Sequence, residues 1–338
     1  WRYGLDQLRD LAARQGLAVA VLPADGRADP ALDACSTLPV STLRRLQHLC
    51  DEGGAVAAQA ALAQLALSAG IYMAPVPGEK RLPQMGAWTP ETGVFGLDDS
   101  GPATLAADGT GSTLAANGTG RRRATDGPAD AIATDETGRP EPSAGAPSLR
   151  TRILVVFYRS YVAAADLGPV EALFAAFRQR GCEVAGLFAP SLKAPEAAAW
   201  LEARVAEWGP AAIINVTAFS GRGATGRSPL DIAGVPVFQA TLATSSRADW
   251  AGAERGLSPA DLAMHVVLPE VDGRIGGGVV SFKEPGPRDP ALEFARVAHV
   301  ADAGRVAALA DRVMGWVGLQ QGHDGAVALV LSTYPGKD

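Results

Sequence analysis

Cysteine, histidine, basic runs and long apolar runs are all scarce in this 338-residue sequence, and each scarcity removes a class of function. The three cysteines, Cys35, Cys50 and Cys182, are far apart and form no CxxC pair. That excludes a disulfide framework and points to reduced thiols in a reducing, cytoplasmic compartment. The four histidines, His48, His265, His299 and His323, have no neighbour at ligand spacing, and neither HxxH nor HExxH occurs, so no metal site is expected. His48 falls in a helical pattern and His265 in an apolar run read as a strand, both as structural histidines. No GxSxG elbow is present, and Cys182 begins a strand instead of a helix, so no nucleophile stands out. The only basic run is Arg121–Arg123, without interleaved aromatics, in a chain of formal net charge −6 and pI near 5.3. A nucleic-acid surface is therefore not expected. No apolar run approaches the roughly 18 residues of a membrane span, and no secretory signal is expected.

Apolar residues make up 47% and charged residues 20%, enough for two domains that each bury a core. The chain opens WRYGLDQLRD, helix-like at once and without an initiating Met, which suggests a piece of something longer. Leu5–Gln15 places leucines on one helical face, with Gly16 as its stop. Leu17–Leu22 reads as a short strand. Ser41 starts a helix to Leu49, and an Ala-rich helix covers Ala55–Ser68. Beyond Ile71, Pro75, Pro77 and Pro83 predict irregular structure that includes Leu82–Trp88. From Asp98 to Ser148 the only large apolar residues are Leu105, Leu114 and Ile132, too few to offset ordering, so 98–150 reads as a flexible linker. Its GTGSTLAANGTG lacks the Gly-Lys-Ser/Thr end of a phosphate loop.

After the linker, TRILVVFYRSYVAAAD begins with a continuous apolar β-branched run, Ile153–Phe157, the mark of a strand covered on both faces. An amphipathic helix follows at Leu167–Arg180, then a strand Cys182–Phe188. A helix at Ala194–Trp208 has Pro195 in its first turn. Strands follow at Ala211–Val216, Val235–Gln239 and Ala263–Leu268, then a helix Ala301–Gly318 and the opening of a strand at Gly325–Leu331. These β–α–β units predict a doubly wound parallel α/β sheet of Rossmann or flavodoxin type, preceded by a smaller α/β or mainly helical domain. The organisation expected is 1–97, linker 98–150, 151–322, and a further domain opening at 323–338.

In such a sheet ligands bind at the carboxyl ends of the strands. Those ends gather Tyr158, Arg159, Ser160, Tyr161, Thr217, Phe219, Ser220, Gln239, Thr241, Glu270 and Asp272. One cation, hydroxyls, an aromatic face and two acids suit a ligand with carboxylates or amides on a flat apolar body. Alternatively, Arg159 pairs with Asp166 or Glu270 and holds the loops. Gly221-Arg-Gly223-Ala-Thr-Gly226 matches the dinucleotide fingerprint as a string. It follows the third strand, however, and Pro229 and Gly234 interrupt the helix that the fingerprint requires.

Several of these segments resemble one family in order along the chain. They are STLPVSTLRRLQHLCDEGG, LPQMGAW, FYRSYVAAAD, NVTAFSG, VPVFQATLATSSRADW, GLSPADLAMHVVLPEVDGRI and VVSFKE. Together they are similar to the family of large chelatase subunits shared by aerobic cobaltochelatase and the magnesium chelatase H subunit. The resemblance covers Trp1 to about Gly96 and Arg152 to Asp338. It implies an N-terminal piece of a longer cytoplasmic tetrapyrrole-binding subunit, a nitrogen–metal bond-forming ligase. In that family AAA+ partner subunits hydrolyse ATP to drive insertion of Co2+, the substrate ion, into hydrogenobyrinic acid a,c-diamide during cobalamin synthesis. This piece alone would hold no cofactor and would be inactive.

The resemblance implies Arg159 as a carboxylate anchor, Ser160, Ser220 and Gln239 as partners of amides, Phe219 against the ring, Tyr161 beside them and Glu270 as proton acceptor. Many members carry His where this chain has Tyr161, so no metal-handling role carries over to that position. The alternatives are a non-catalytic head or lid that docks AAA+ partners, a magnesium chelatase-type subunit, or a nucleotide-dependent enzyme.

Overall fold

The computed structural model describes residues 4–24, 26–78, 80–95, 151–223 and 225–322. The expected linker 98–150, the strand expected at Gly325–Leu331 and the unit opening at 323–338 lie outside the described residues. The first part is helical: α1 (Leu5–Gln15), α2 (Pro30–Asp33), α3 (Val40–Glu52) and α4 (Ala55–Ser68). Gly16 takes φ 65°, the left-handed stop expected for α1. Leu46, Leu49, Ala57, Ala60 and Ala61 form a small core between α3 and α4. No strand forms at Leu17–Leu22, which corrects the sequence expectation. The segment is extended, but its amides meet side chains and not a neighbouring strand: Val19 N donates to Thr37 Oγ1 (2.7 Å) and Val21 N to Ser36 Oγ (2.9 Å).

A hairpin follows, β1 (Gly86–Thr89) and β2 (Gly93–Phe95), within the stretch expected to be irregular. It joins the main sheet. The remaining elements are β3 (Arg152–Tyr158), α5 (Arg159–Ala163), α6 (Gly168–Gln179), β4 (Glu183–Ala189), α7 (Pro195–Trp208), β5 (Ala212–Asn215) and β6 (Val237–Leu242). The chain continues through α8 (Arg247–Gly252), α9 (Pro259–Leu262), a π turn Ala263–Val267, α10 (Leu268–Val271), β7 (Ile275–Asp289), β8 (Phe294–Ala301) and α11 (Ala303–Gln320). The eight strands lie in the order β2-β1-β4-β3-β5-β6-β7-β8. The five from β4 to β7 are parallel, while β1 and β8 pair antiparallel at the two sides. Ranked along the chain, the parallel strands read 2-1-3-4-5, the flavodoxin-like order, with its switch point between β3 and β5.

The apolar run of β3 is buried on both faces, which is why it lacks alternation. Ile153, Val155 and Phe157 pack against α6 and α11 on one side. Leu154 and Val156 pack on the other side with Leu201, Val205 and Trp208 of α7. Gly186 of β4 is required by packing: a Cβ there would lie 2.8 Å from the Trp88 carbonyl oxygen and 3.1 Å from Phe157. This close approach seats the β1–β2 hairpin.

The run Ala263–Leu268, expected as the fifth strand, is helical. Ser258 caps the preceding turn by accepting from Asp261 N (3.0 Å), with Pro259 in the first turn, so the chain enters the apolar run already helical. The fifth parallel strand is β7. His265 therefore lies in the π turn and not in a strand.

Arg159 is the tie between the helical part and the sheet. Its side chain is 11% exposed. It donates from Nη2 to the Glu52 carbonyl (2.7 Å) and the Leu82 carbonyl (2.9 Å), and from Nε to the Pro83 carbonyl (3.0 Å). The ionic partner is Glu52 at 3.7 Å, in place of the Asp166 or Glu270 pairing considered from sequence. Gly54 N adds a bond to the Ala163 carbonyl. Arg159→Ala, by leaving these carbonyls unmatched, is expected to cost about 2 to 4 kcal/mol, read as a lowered urea midpoint. An unchanged midpoint would contradict the tie.

Two buried histidines set a pH response. Burial lowers the pKa of His265, opposed by Asp261, and lowers that of His299, opposed chiefly by Asp166. The unfolded chain takes up protons near pH 6.5, where the folded chain does not, so stability is lost as pH falls below about 6.5. Melting temperature is expected to drop between pH 7.5 and 5.5 and to drop less in a His265→Asn/His299→Asn variant. Equal slopes would contradict this.

Candidate functional site

The carboxyl ends of β5 and β6 are joined by a closed loop of side-chain hydrogen bonds. Asn215 Nδ2 donates to Gln239 Oε1 (2.7 Å), Gln239 Nε2 donates to the Thr217 carbonyl (2.6 Å), and Thr217 Oγ1 donates to Asn215 Oδ1 (2.8 Å). All three residues are at most 3% exposed. Asn and Gln are tolerated here because both ends of each amide are matched within the loop, and a matched buried network rigidifies what it joins.

Beyond Thr217 the chain turns through Phe219, a non-glycine residue at φ 65° whose side chain is half exposed. A bulky residue in the left-handed region is strained, and such strain collects at functional positions. It is held by Phe219 N donating to the Met264 carbonyl (2.7 Å) in the π turn. Next, Ser220 Oγ donates to Asp272 Oδ1 (2.7 Å) and Gly221 N to Asp272 Oδ2 (2.6 Å), with Arg222 Nε 3.4 Å from Oδ1. Within the Gly221–Gly226 string, Gly226 N donates to the Gly223 carbonyl (3.0 Å) and Gly223 N to the Arg227 carbonyl (3.1 Å). The string leads into a five-residue 3-10 turn, Pro229–Ala233, and not into a helix that could seat a pyrophosphate.

Between the segment 257–274 and the sheet at β6–β7 lies a cavity of about 350 Å³. Gln239, Thr241, His265, Glu270, Arg274 and Arg312 line it, with Leu257, Val266, Pro269 and Val279 as apolar wall and Gly276 and Gly278 as floor. The β6–β7 register shifts twice beside it, between Gln239 and Ala240 and between Thr241 and Leu242. Arg274 is 7% exposed. Its Nη1 donates to Asp231 Oδ1 (2.7 Å), while its Nη2 has no hydrogen-bond partner. His265, 5% exposed, likewise has Nδ1 unpartnered. Each orphaned group costs about 1 to 3 kcal/mol, a cost that ligand sites tolerate. Arg312 Nη1 donates to the Gly276 carbonyl (2.7 Å).

Of the residues singled out from sequence, Gln239, Thr241 and Glu270 line the cavity, and Ser220, Phe219 and Asp272 brace its covering segment. Glu270 arrives from α10 and not from a strand end, and it is exposed. Arg159, Ser160 and Tyr161 are not brought to the cavity. Arg159 is occupied by the three carbonyls, and Ser160 is exposed on α5. Tyr161 packs edge-on to His299 with ring centroids 6.0 Å apart, and burial pushes its hydroxyl up to about 12. Tyr158 donates to the Ala218 carbonyl (2.6 Å) across the β3–β5 switch point, and burial raises its pKa. His265, Arg274 and Arg312 were missed. The one signal for them was Arg274 standing just ahead of Gly276-Gly277-Gly278, since consecutive glycines in a strand mark a close backbone approach. Among the described residues no group of three His, Cys, Asp or Glu side chains is placed to hold a metal ion, and no helix is long and apolar enough to cross a membrane.

Residues 68–338 match the family model described as CobN/Magnesium Chelatase. The whole chain aligns with the aerobic cobaltochelatase subunit CobN of a Sinorhizobium species at 32% identity over 344 residues, and with that of Pseudomonas aeruginosa at 30% over 345 residues. In each case it spans 24% of the relative's length. Among solved structures it is similar in fold to the catalytic subunit of cobaltochelatase from Mycobacterium tuberculosis. That match has a TM-score of 0.61 at 22% identity, covering 95% of this chain and 23% of that one. With the family segments in order along the sequence and a matching fold beneath them, this chain belongs to the CobN/magnesium chelatase family.

Proposed function

We propose that this chain is a section of a cobaltochelatase CobN-type subunit, and that its β5–β7 rim contributes contacts to the tetrapyrrole. In this reading the full subunit, with ATP-hydrolysing AAA+ partners, inserts Co2+ into hydrogenobyrinic acid a,c-diamide in the cytoplasm. The supporting observation is the pairing of an end-to-end likeness to two CobN subunits with a polar, glycine-floored cavity at the carboxyl rim.

Metal insertion needs the macrocycle desolvated and held in register with the ion while a base accepts its pyrrolic protons. Phe219, half exposed and fixed by the Met264 carbonyl, offers a ring face beside the cavity's covering segment. Glu270, exposed and lining the cavity, supplies the proton acceptor. Ser220 and Gln239 act by positioning, because Ser220 is bonded to Asp272 and both ends of the Gln239 amide are engaged within the protein. Arg159, Ser160 and Tyr161 belong to the framework that joins the helical part to β3.

A second reading, a head that docks AAA+ partners, is favoured by exposed apolar side chains on and after α4. Leu62 is 66% exposed, Ile71 59% and Tyr72 81%, a grouping typical of interaction surfaces.

Titration of the full-length subunit with hydrogenobyrinic acid a,c-diamide, followed by tryptophan quenching, separates the readings. For Phe219→Ala, an affinity loss of roughly tenfold is expected, the scale of a lost stacking contact. For Glu270→Gln, affinity is expected to hold while Co2+ insertion by the complete complex falls on the order of 10²-fold. Unchanged affinity and insertion in both variants, with insertion lost in Tyr72→Asp, would favour docking.

A further inference from the structure

We infer that the β6–β7 cavity is a binding site for a carboxylate on a short apolar arm, gripped by Arg274. The tetrapyrrole source of that carboxylate rests on the function proposed above; the site itself does not.

Arg274 is a cation committed on one side only. Its partner Asp231 is immobilised, because Asp231 Oδ2 accepts from Ser228 N (3.0 Å) in the cap of the 3-10 turn while Oδ1 takes Arg274 Nη1 (2.7 Å). The carboxylate cannot turn to serve Nη2 as well without giving up the cap. Nη2 is left as a buried charged donor with no partner, on a side chain 4% exposed that lines the cavity. Buried charged donors in folded proteins are as a rule matched, and a guanidinium's natural complement is a carboxylate. His265, whose Nδ1 is also buried and unmatched, belongs to the same lining.

The floor is kept clear by design of the strand. A Cβ on Gly276 or Gly278 would meet nothing within 4 Å, so open space stands above both. Gly277 between them has the opposite requirement, since its Cβ would lie 2.6 Å from the Gln239 carbonyl oxygen and 2.9 Å from Leu309. At about 350 Å³ the space lies at the small end of ligand pockets and admits an acid side arm, not a whole macrocycle. Leu257, Val266, Pro269 and Val279 suit the arm's methylenes. Glu270, also in the lining, disfavours a multiply charged phosphate more than a single carboxylate.

The test uses the full-length subunit with two probes: glutarate, and hydrogenobyrinic acid a,c-diamide compared with its fully methyl-esterified form. Glutarate is expected to bind saturably, with affinity reduced at least roughly tenfold by Arg274→Gln, the loss of a charge-assisted bond. Gly276→Ala, whose added Cβ would meet no atom within 4 Å, is expected to weaken binding while leaving the melting temperature unchanged. It guards against misfolding of the arginine variant. If the acid binds more tightly than the ester and Arg274→Gln removes the difference, the arm comes from the tetrapyrrole. Arg274-dependent glutarate binding without tetrapyrrole binding would keep this site and discard the tetrapyrrole reading. Glutarate binding untouched by both variants, or no saturable glutarate binding at all, would overturn the inference even if the tetrapyrrole binds.

Discussion

Two buried side-chain amides, Asn215 and Gln239, fix the carboxyl end of this sheet, and the geometry of the rim depends on them. Each belongs to a different strand, and each is matched through the other and through Thr217. An unmatched amide in a core would be costly, so the loop closes only when β5 and β6 are in register and the chain beyond Val216 takes one path. That path forces Phe219 to positive φ and sends Ser220 and Gly221 to Asp272. A hydrogen-bond loop in the sheet thereby sets where the segment 257–274 sits.

The second constraint is the mismatch between β6 and β7. Two register shifts interrupt the β6–β7 pairing, Gly276 and Gly278 leave open space above the sheet there, and the π turn contributes to the cavity that covers it. π turns are rare and concentrate at functional positions. This turn carries His265 into the cavity lining, which also includes Gly276 and Gly278 of β7, without side chains to fill the space. The stability forgone through the orphaned Arg274 and His265 atoms is the kind of local violation that a well-packed domain tolerates where a ligand supplies the missing partner.

Much of the frame was legible because the physics that makes it is local. Ile153–Phe157 announces a doubly covered strand, and Pro195 and Gly16 mark a helix start and stop where the structure has them. Errors fell where tertiary context decides. Ala263–Leu268 is too short an apolar run for periodicity to separate strand from helix, and the Ser258–Pro259 start was the overlooked arbiter. Leu17–Leu22 has strand composition but finds hydroxyls as partners. Gly86–Thr89 is a strand only because Gly186 lets it approach β4. Arg159 follows a strand, which by sequence alone points to the rim, yet its partners are carbonyls as far as 107 residues away. Gln239, Thr241 and Glu270 line the cavity, Glu270 from a helix where the sequence suggests a strand end, while Arg274 and His265 acquire meaning only once the cavity brings them together.

The central claim, that ligand contact occurs at the β5–β7 rim and not at the β3 end, is tested most directly by hydrogen–deuterium exchange of the full-length subunit with and without hydrogenobyrinic acid a,c-diamide. The account predicts slowed exchange in 217–222 and 263–278, with 159–163 unchanged. Protection at 159–163 alone, or at neither segment of the rim, would contradict it.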